Sequence, residues 1–158
     1  MATIKSVNVT KYDAGGSGDY AIADGFIKSV EKVWIDTYVI DGAIPSTTSL
    51  KIAQMSQNKK VTDIIVHMPV LSAGTTSSTI YCCTGATTST TTYFGALKPV
   101  GSVQGVNTFT SNTSCTLRLS VESDNLGTPL PTSVGIYIMI DPATVVTAGT
   151  IRSMVKYT

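Results

Sequence analysis

The sequence predicts an all-β fold: a two-sheet β-sandwich, most simply a jelly roll of about eight strands, with an extended N-terminal arm. Three observations predict it. Runs of alternating apolar and polar residues recur along the chain, and a period of two marks strands that bury one face. Segments rich in Gly, Pro, Ser and Thr separate these runs, and no stretch carries the 3.6-residue period of an amphipathic helix. Charged residues are only 13% of the chain and hydrophobic ones 42%, with Thr and Val, both strand formers, prominent. About eight strands with long crossing loops favour two packed sheets, which limit exposed edges. Another β-sandwich topology is the alternative.

Taken in order, residues 1–30 stand apart as an arm. TIKSVNVT at 3–10 reads as a short strand, and KYDAGGSGDYAIADG at 11–25 has no sustained periodicity. Such a segment builds little core of its own, so the arm is expected to lie against its own body or a neighbouring subunit. Its anchors are Val7, Val9, Tyr12, Tyr20, Ile22, Phe26 and Ile27.

Residues 31–158 form the sandwich domain. EKVWIDTYVI at 31–40 puts Val33, Ile35, Thr37 and Val39 on one face and Trp34, Asp36, Tyr38 and Ile40 on the other, so both faces are expected to be covered. SLKIAQM at 49–55 turns Leu50 and Ile52 inward, and QNKK at 57–60 is a polar turn. VTDIIVHMPVL at 61–71 reads as the longest strand, with Ile64, Val66, Met68 and Val70 together. Pro69 cannot donate to a ladder and marks an edge or bulge there. TIYCCTG at 79–85 is a strand, and one more is expected around Thr92–Leu97 between long loops. CTLRLSVES at 115–123 alternates Cys115, Leu117, Leu119 and Val121 with Thr116, Arg118, Ser120 and Glu122; DNLGTPLPT then turns the chain. The closing pair alternates Val134, Ile136, Ile138 and Ile140 in SVGIYIMID, then Ile151, Val155 and Tyr157 against Thr150, Arg152, Met154 and Lys156.

Composition excludes several classes of partner. A formal net charge of +1 provides no field to gather nucleic acid or an anionic membrane. No apolar run approaches the ~20 residues that span a bilayer. MATIKSVNVTKYD lacks the apolar core of a secretory signal, which points to folding in a cytosol. Low charge with a mean hydropathy of +0.23 suggests that part of the surface meets another chain.

No catalytic, cofactor or metal signature stands out, so no enzyme activity and no small-molecule substrate are expected. His67 is the single histidine and has no nucleophile context around it. The Asp and Glu residues total 10 and are scattered. Cys82, Cys83 and Cys115 lack metal-ligand spacing; buried thiols are expected, with a bridge from Cys82 or Cys83 to Cys115 as the alternative. GGSGD at 15–19 lacks one residue of the GGxGxD calcium repeat and occurs once, so it reads as arm. Lys51, Lys59 and Lys60 read as a solvated corner, and the Thr run at 87–92 as a polar loop.

Three stretches carry a resemblance: TIKSVNVTKYDAGGSGD, DGFIKSVEKVWIDTYVI and the close TAGTIRSMVKYT. With them the chain resembles small virion structural proteins of tailed bacteriophages, of the capsid decoration or cement type, built on a jelly roll. The resemblance is concentrated in the first 40 residues and the last 12. It implies a non-enzymatic protein on the capsid exterior, made in the host bacterial cytoplasm. Its implied partners are the major capsid protein, whose subunits it bridges, and copies of itself in a dimer or trimer. On that basis Tyr12, Tyr20, Phe26 and Ile27, with Val9, are the expected arm contacts, and Lys5 and Lys11 offer polar pairs. Another virion part (neck, tail or head fibre) and a sugar-binding adhesin are the competing readings.

Overall fold

The computed structural model of the chain describes residues 3–5, 31–41, 48–70, 77–85, 94–101, 108–110, 113–119, 125–141 and 148–158. Ten strands are described: β1 (Thr3–Lys5), β2 (Lys32–Ile40), β3 (Thr48–Met55), β4 (Val61–Met68), β5 (Ser77–Cys83), β6 (Gly95–Pro99), β7 (Thr108–Thr110), β8 (Cys115–Leu119), β9 (Val134–Asp141) and β10 (Gly149–Tyr157). The expected all-β sandwich is what forms, and no helix occurs among the described residues.

Eight of the strands make two facing antiparallel layers. One runs β3-β9-β5-β6 and the other β8-β4-β10-β2. Successive strands cross between layers, except that β5 and β6 are neighbours within one; this is the order of a jelly roll. β6 belongs to both layers. Gly95 and Ala96 pair with Cys82 and Tyr81 of β5, and Leu97–Pro99 then pair with Leu119–Leu117 of β8. A strand that changes partners halfway turns the sheet through a corner. β1 lies parallel to β3 at the edge of the first layer, Thr3–Lys5 beside Ser49–Lys51, and β7 pairs with the start of β5.

The core lies between the layers and is built from the alternating faces that the sequence displays. Leu50 and Ile52 on β3, Ile136 and Ile138 on β9, and Ile80 and Cys82 on β5 come from one side. Ile64, Val66 and Met68 on β4, Leu117 and Leu119 on β8, and Ile151 and Val155 on β10 meet them. β4 stops at Met68, one residue before Pro69, because proline has no N–H for the ladder. It is therefore 8 residues long, shorter than the 9 of β2 and β10, and Val70 lies beyond it with 38% exposure. The strand expected at Thr92–Leu97 is displaced to Gly95–Pro99. Asp36 and Ser153 are a buried polar pair opposite each other on β2 and β10; the Thr37 amide donates to Asp36 Oδ1 at 2.8 Å.

One end of the sandwich is closed by backbone. Asn58 takes φ 67° in the 57–60 turn, and its N–H donates to the Leu130 carbonyl at 2.9 Å. Lys60 and Thr158 exchange two bonds of 3.1 and 3.0 Å, and Gly127, at φ 76°, donates to Val61 at 2.7 Å. Leu130, expected to belong to a plain turn, inserts into the core with 1% exposure.

Candidate partner-binding surface

The outer face of the β8-β4-β10-β2 layer is assembled by strand register. Ile35, Met154, Ile65 and Arg118 form one row across four strands. Thr37, Arg152, His67 and Thr116 form the next, and Val33, Lys156 and Asp63 the one on the other side. Side chains in register on neighbouring strands stand about 5 Å apart, so each row is a continuous surface. Ile35 and Val39 are each 59% exposed, while Met154 and Ile65 are half-buried. The 31–40 strand therefore covers only one face within its own chain. Trp34, Asp36, Tyr38 and Ile40 point to the core, and the Ile35–Val39 face looks outward.

Charges on this face are mostly paired. Arg118 grips the buried Asp63 with two contacts, Nε to Oδ1 at 3.0 Å and Nη2 to Oδ2 at 2.8 Å. Those hydrogen bonds, and then the carboxylate charge, raise the guanidinium further above its ordinary value. Lys156 Nζ lies 3.7 Å from Glu31, which also accepts from the Thr62 hydroxyl at 2.7 Å. Arg152 is exposed and has no carboxylate partner among the described residues. Beside it, His67 Nδ1 lies 3.3 Å from Thr116 Oγ1.

The outer face of the other layer differs. Ser49, Lys51, Cys83 and Met139 point away from the core, yet all four are buried. Gly135 makes this packing fit, because a Cβ there would lie 2.6 Å from Tyr137 Cε2 and 2.8 Å from Lys51 Cε.

The thiols are free, without the bridge kept open as an alternative. Burial pushes Cys83 and Cys115 up to about 11 and Cys82 well above its ordinary value. Raised thiols are poor nucleophiles at neutral pH. Among the described residues no group of three or more His, Cys, Asp and Glu side chains is placed to hold a metal ion.

Of the residues expected to touch a partner, Lys5 ends β1 and lies beside Lys51 of β3 in the parallel register. Val9, Lys11, Tyr12, Tyr20, Phe26 and Ile27 lie outside the described residues. The exposed Ile35–Val39 face was not singled out from the sequence. Its one signal was that residues 31–40 are apolar on both faces.

No family model and no curated protein matches the chain. Two solved structures share its fold over nearly all of its length. A chain in the capsid of Ralstonia phage GP4 superposes with TM-score 0.61 at 15% identity, covering 99% of this chain and 97% of that one. A chain in the capsid asymmetric unit of cyanophage Pam1 gives TM-score 0.55 at 16% identity, covering 89% and 96%.

Proposed function

We propose that this protein is a non-enzymatic capsid decoration, or cement, protein of a tailed bacteriophage. It sits on the outside of the assembled head, bridges major capsid protein subunits and stabilises the shell. The observation that carries this reading is the length of the two structural matches. Each covers almost the whole of a capsid chain and almost the whole of this one. The shared unit is one β-sandwich of this size, which suits a small accessory subunit. The three stretches resembling decoration proteins point the same way.

The physics suits the role. Packaged DNA presses shell subunits apart, and a ligand that binds only the assembled shell opposes that by mass action. Occupancy at a hundred times the dissociation constant stabilises each site by about 2.7 kcal/mol. A stiff two-layer body supplies the bracket. The arm, residues 1–30, adds contacts through Tyr12, Tyr20, Phe26, Ile27 and Val9, with Lys5 and Lys11 as polar pairs. Association of copies into a dimer or trimer multiplies a modest affinity for each site.

The test adds purified protein to heads assembled without it and follows binding and shell melting. Saturable binding in many copies per head, with a raised shell melting temperature, supports the reading. No binding contradicts it, and binding of a few copies at one vertex indicates a neck or tail part instead.

A further inference from the structure

The open outer face of the β8-β4-β10-β2 layer has a chemistry that selects its occupant. We propose that this face seats the protein on its partner, and that the partner presents an apolar protein surface with a carboxylate opposite Arg152. The inference rests on the decoration reading and adds to it the face and the character of the seat.

Two observations lead there. Ile35, 59% exposed, continues through Met154 and Ile65 into an apolar band across three strands, and Val39, also 59% exposed, adds a second apolar side chain beside Thr150 on the far side of the Thr37–Arg152–His67 row. A sheet face meant for water ordinarily turns polar residues outward. A band framed by polar groups, here Thr37, His67 and Thr116 on one side and the two ion pairs on the other, is how binding patches are laid out.

The charges decide between occupants. Asp63 and Glu31 are already held by Arg118 and Lys156, so among the described residues Arg152 is the cation of this face without a carboxylate partner. A second copy docking by the same face would meet Arg152 with another guanidinium or with a carboxylate already engaged. Asp41 lies past the end of β2, where its charge acts on Tyr38 of the inner face. A different chain with a free Asp or Glu beside apolar side chains complements the band fully.

The experiment uses the full chain and heads assembled without it. Arg152→Glu and the double variant Ile35→Ser/Val39→Ser are compared with wild type by co-sedimentation. Thr132→Ala is the control, since Thr132 is exposed in the turn before β9 of the other layer. Both face variants change exposed side chains, and circular dichroism checks that each folds. The expected result is a loss of about tenfold or more in affinity for each face variant, and none for the control. The Arg152→Glu loss should deepen at low salt, as repulsion between like charges is less screened.

If wild type binds and the face variants bind equally well, the seat is wrong while the decoration reading stands. If wild type does not bind, both fall. Alkylation of a Val39→Cys variant gives a second readout, fast in the free chain and slowed at least about tenfold on the shell, since a docked face excludes reagent. Protection already present in the free monomer would assign the face to the chain's own residues. A concentration-dependent dimer broken by Ile35→Ser would assign it to a second copy. Either result overturns the proposal.

Discussion

Leu130→Ala should cost this domain about 3 kcal/mol, although Leu130 belongs to no strand. Its side chain is 1% exposed and closes one end of the core. Its backbone is fixed independently: its N–H donates to Lys59 at 2.8 Å and its carbonyl accepts from Asn58 at 2.9 Å. Those bonds survive truncation, so the loss is that of the side chain alone. Burying a leucine fully contributes about 1.5–3 kcal/mol, and the residual cavity extends Leu→Ala losses to about 2–5 kcal/mol. The clamped backbone resists collapse into the gap, which places the value near the middle. For a domain of this size about 3 kcal/mol lowers the melting temperature by roughly 6–12 °C. Thermal melts, with urea titrations to check that the m-value is unchanged, measure it. Val100→Ala, at a 64% exposed site, should stay within about 0.5 kcal/mol of wild type. A Leu130→Ala protein that melts within about 1 °C of wild type would refute the claim that this loop completes the core.

Other perturbations have equally definite outcomes. Arg118→Ala leaves the Asp63 carboxylate buried without its bidentate partner and should cost about 1–3 kcal/mol in urea unfolding, with Arg118→Lys recovering part of it. Gly135→Ala drives a methyl against Tyr137 and Lys51 and should cost about 1–3 kcal/mol; a neutral result would mean that both side chains swing aside freely. The thiols set a pH dependence. Cys83 and Cys115 ionise near 11 in the folded chain against an ordinary 9.0, so between those values the unfolded chain has lost protons that the folded one keeps. Their contribution is complete below 9.0 and is lost as pH rises toward 11, so the urea midpoint should fall over that range. A Cys83→Ala/Cys115→Ala protein should show a shallower fall; an equal slope would exclude the thiols as its source.

Much of the fold was legible because most strands bury one face. β8 and β10 show it most simply: Leu117 and Leu119, or Ile151 and Val155, alternate with exposed Arg118 or Arg152. The reading slipped where a strand serves two layers. β6 exchanges β5 for β8 at Leu97, its one buried residue, so no alternation marks its bounds. Thr108–Thr110 is too short to show a period. Leu130 was missed because its surroundings, with Gly127, Pro129 and Pro131, have the composition of a turn, while its burial depends on the distant 57–60 segment.

The candidate surface was harder to read. Ile35, Ile65, Arg152 and Met154 come from three strands and become neighbours only through register. Apolar residues on both faces of 31–40 look alike in sequence whether the second face meets its own chain or another. The arm contacts lie almost wholly outside the described residues, so Tyr12, Tyr20, Phe26 and Ile27 stand as proposals for deletion and substitution to test.

Electron cryo-microscopy of the virion, with this chain located in the density, tests the central claim most directly. The account predicts many symmetry-related copies on the outer surface of the head, each spanning neighbouring major capsid protein subunits. Density confined to one vertex, the tail or the shell interior, or no copy in the particle, would contradict it.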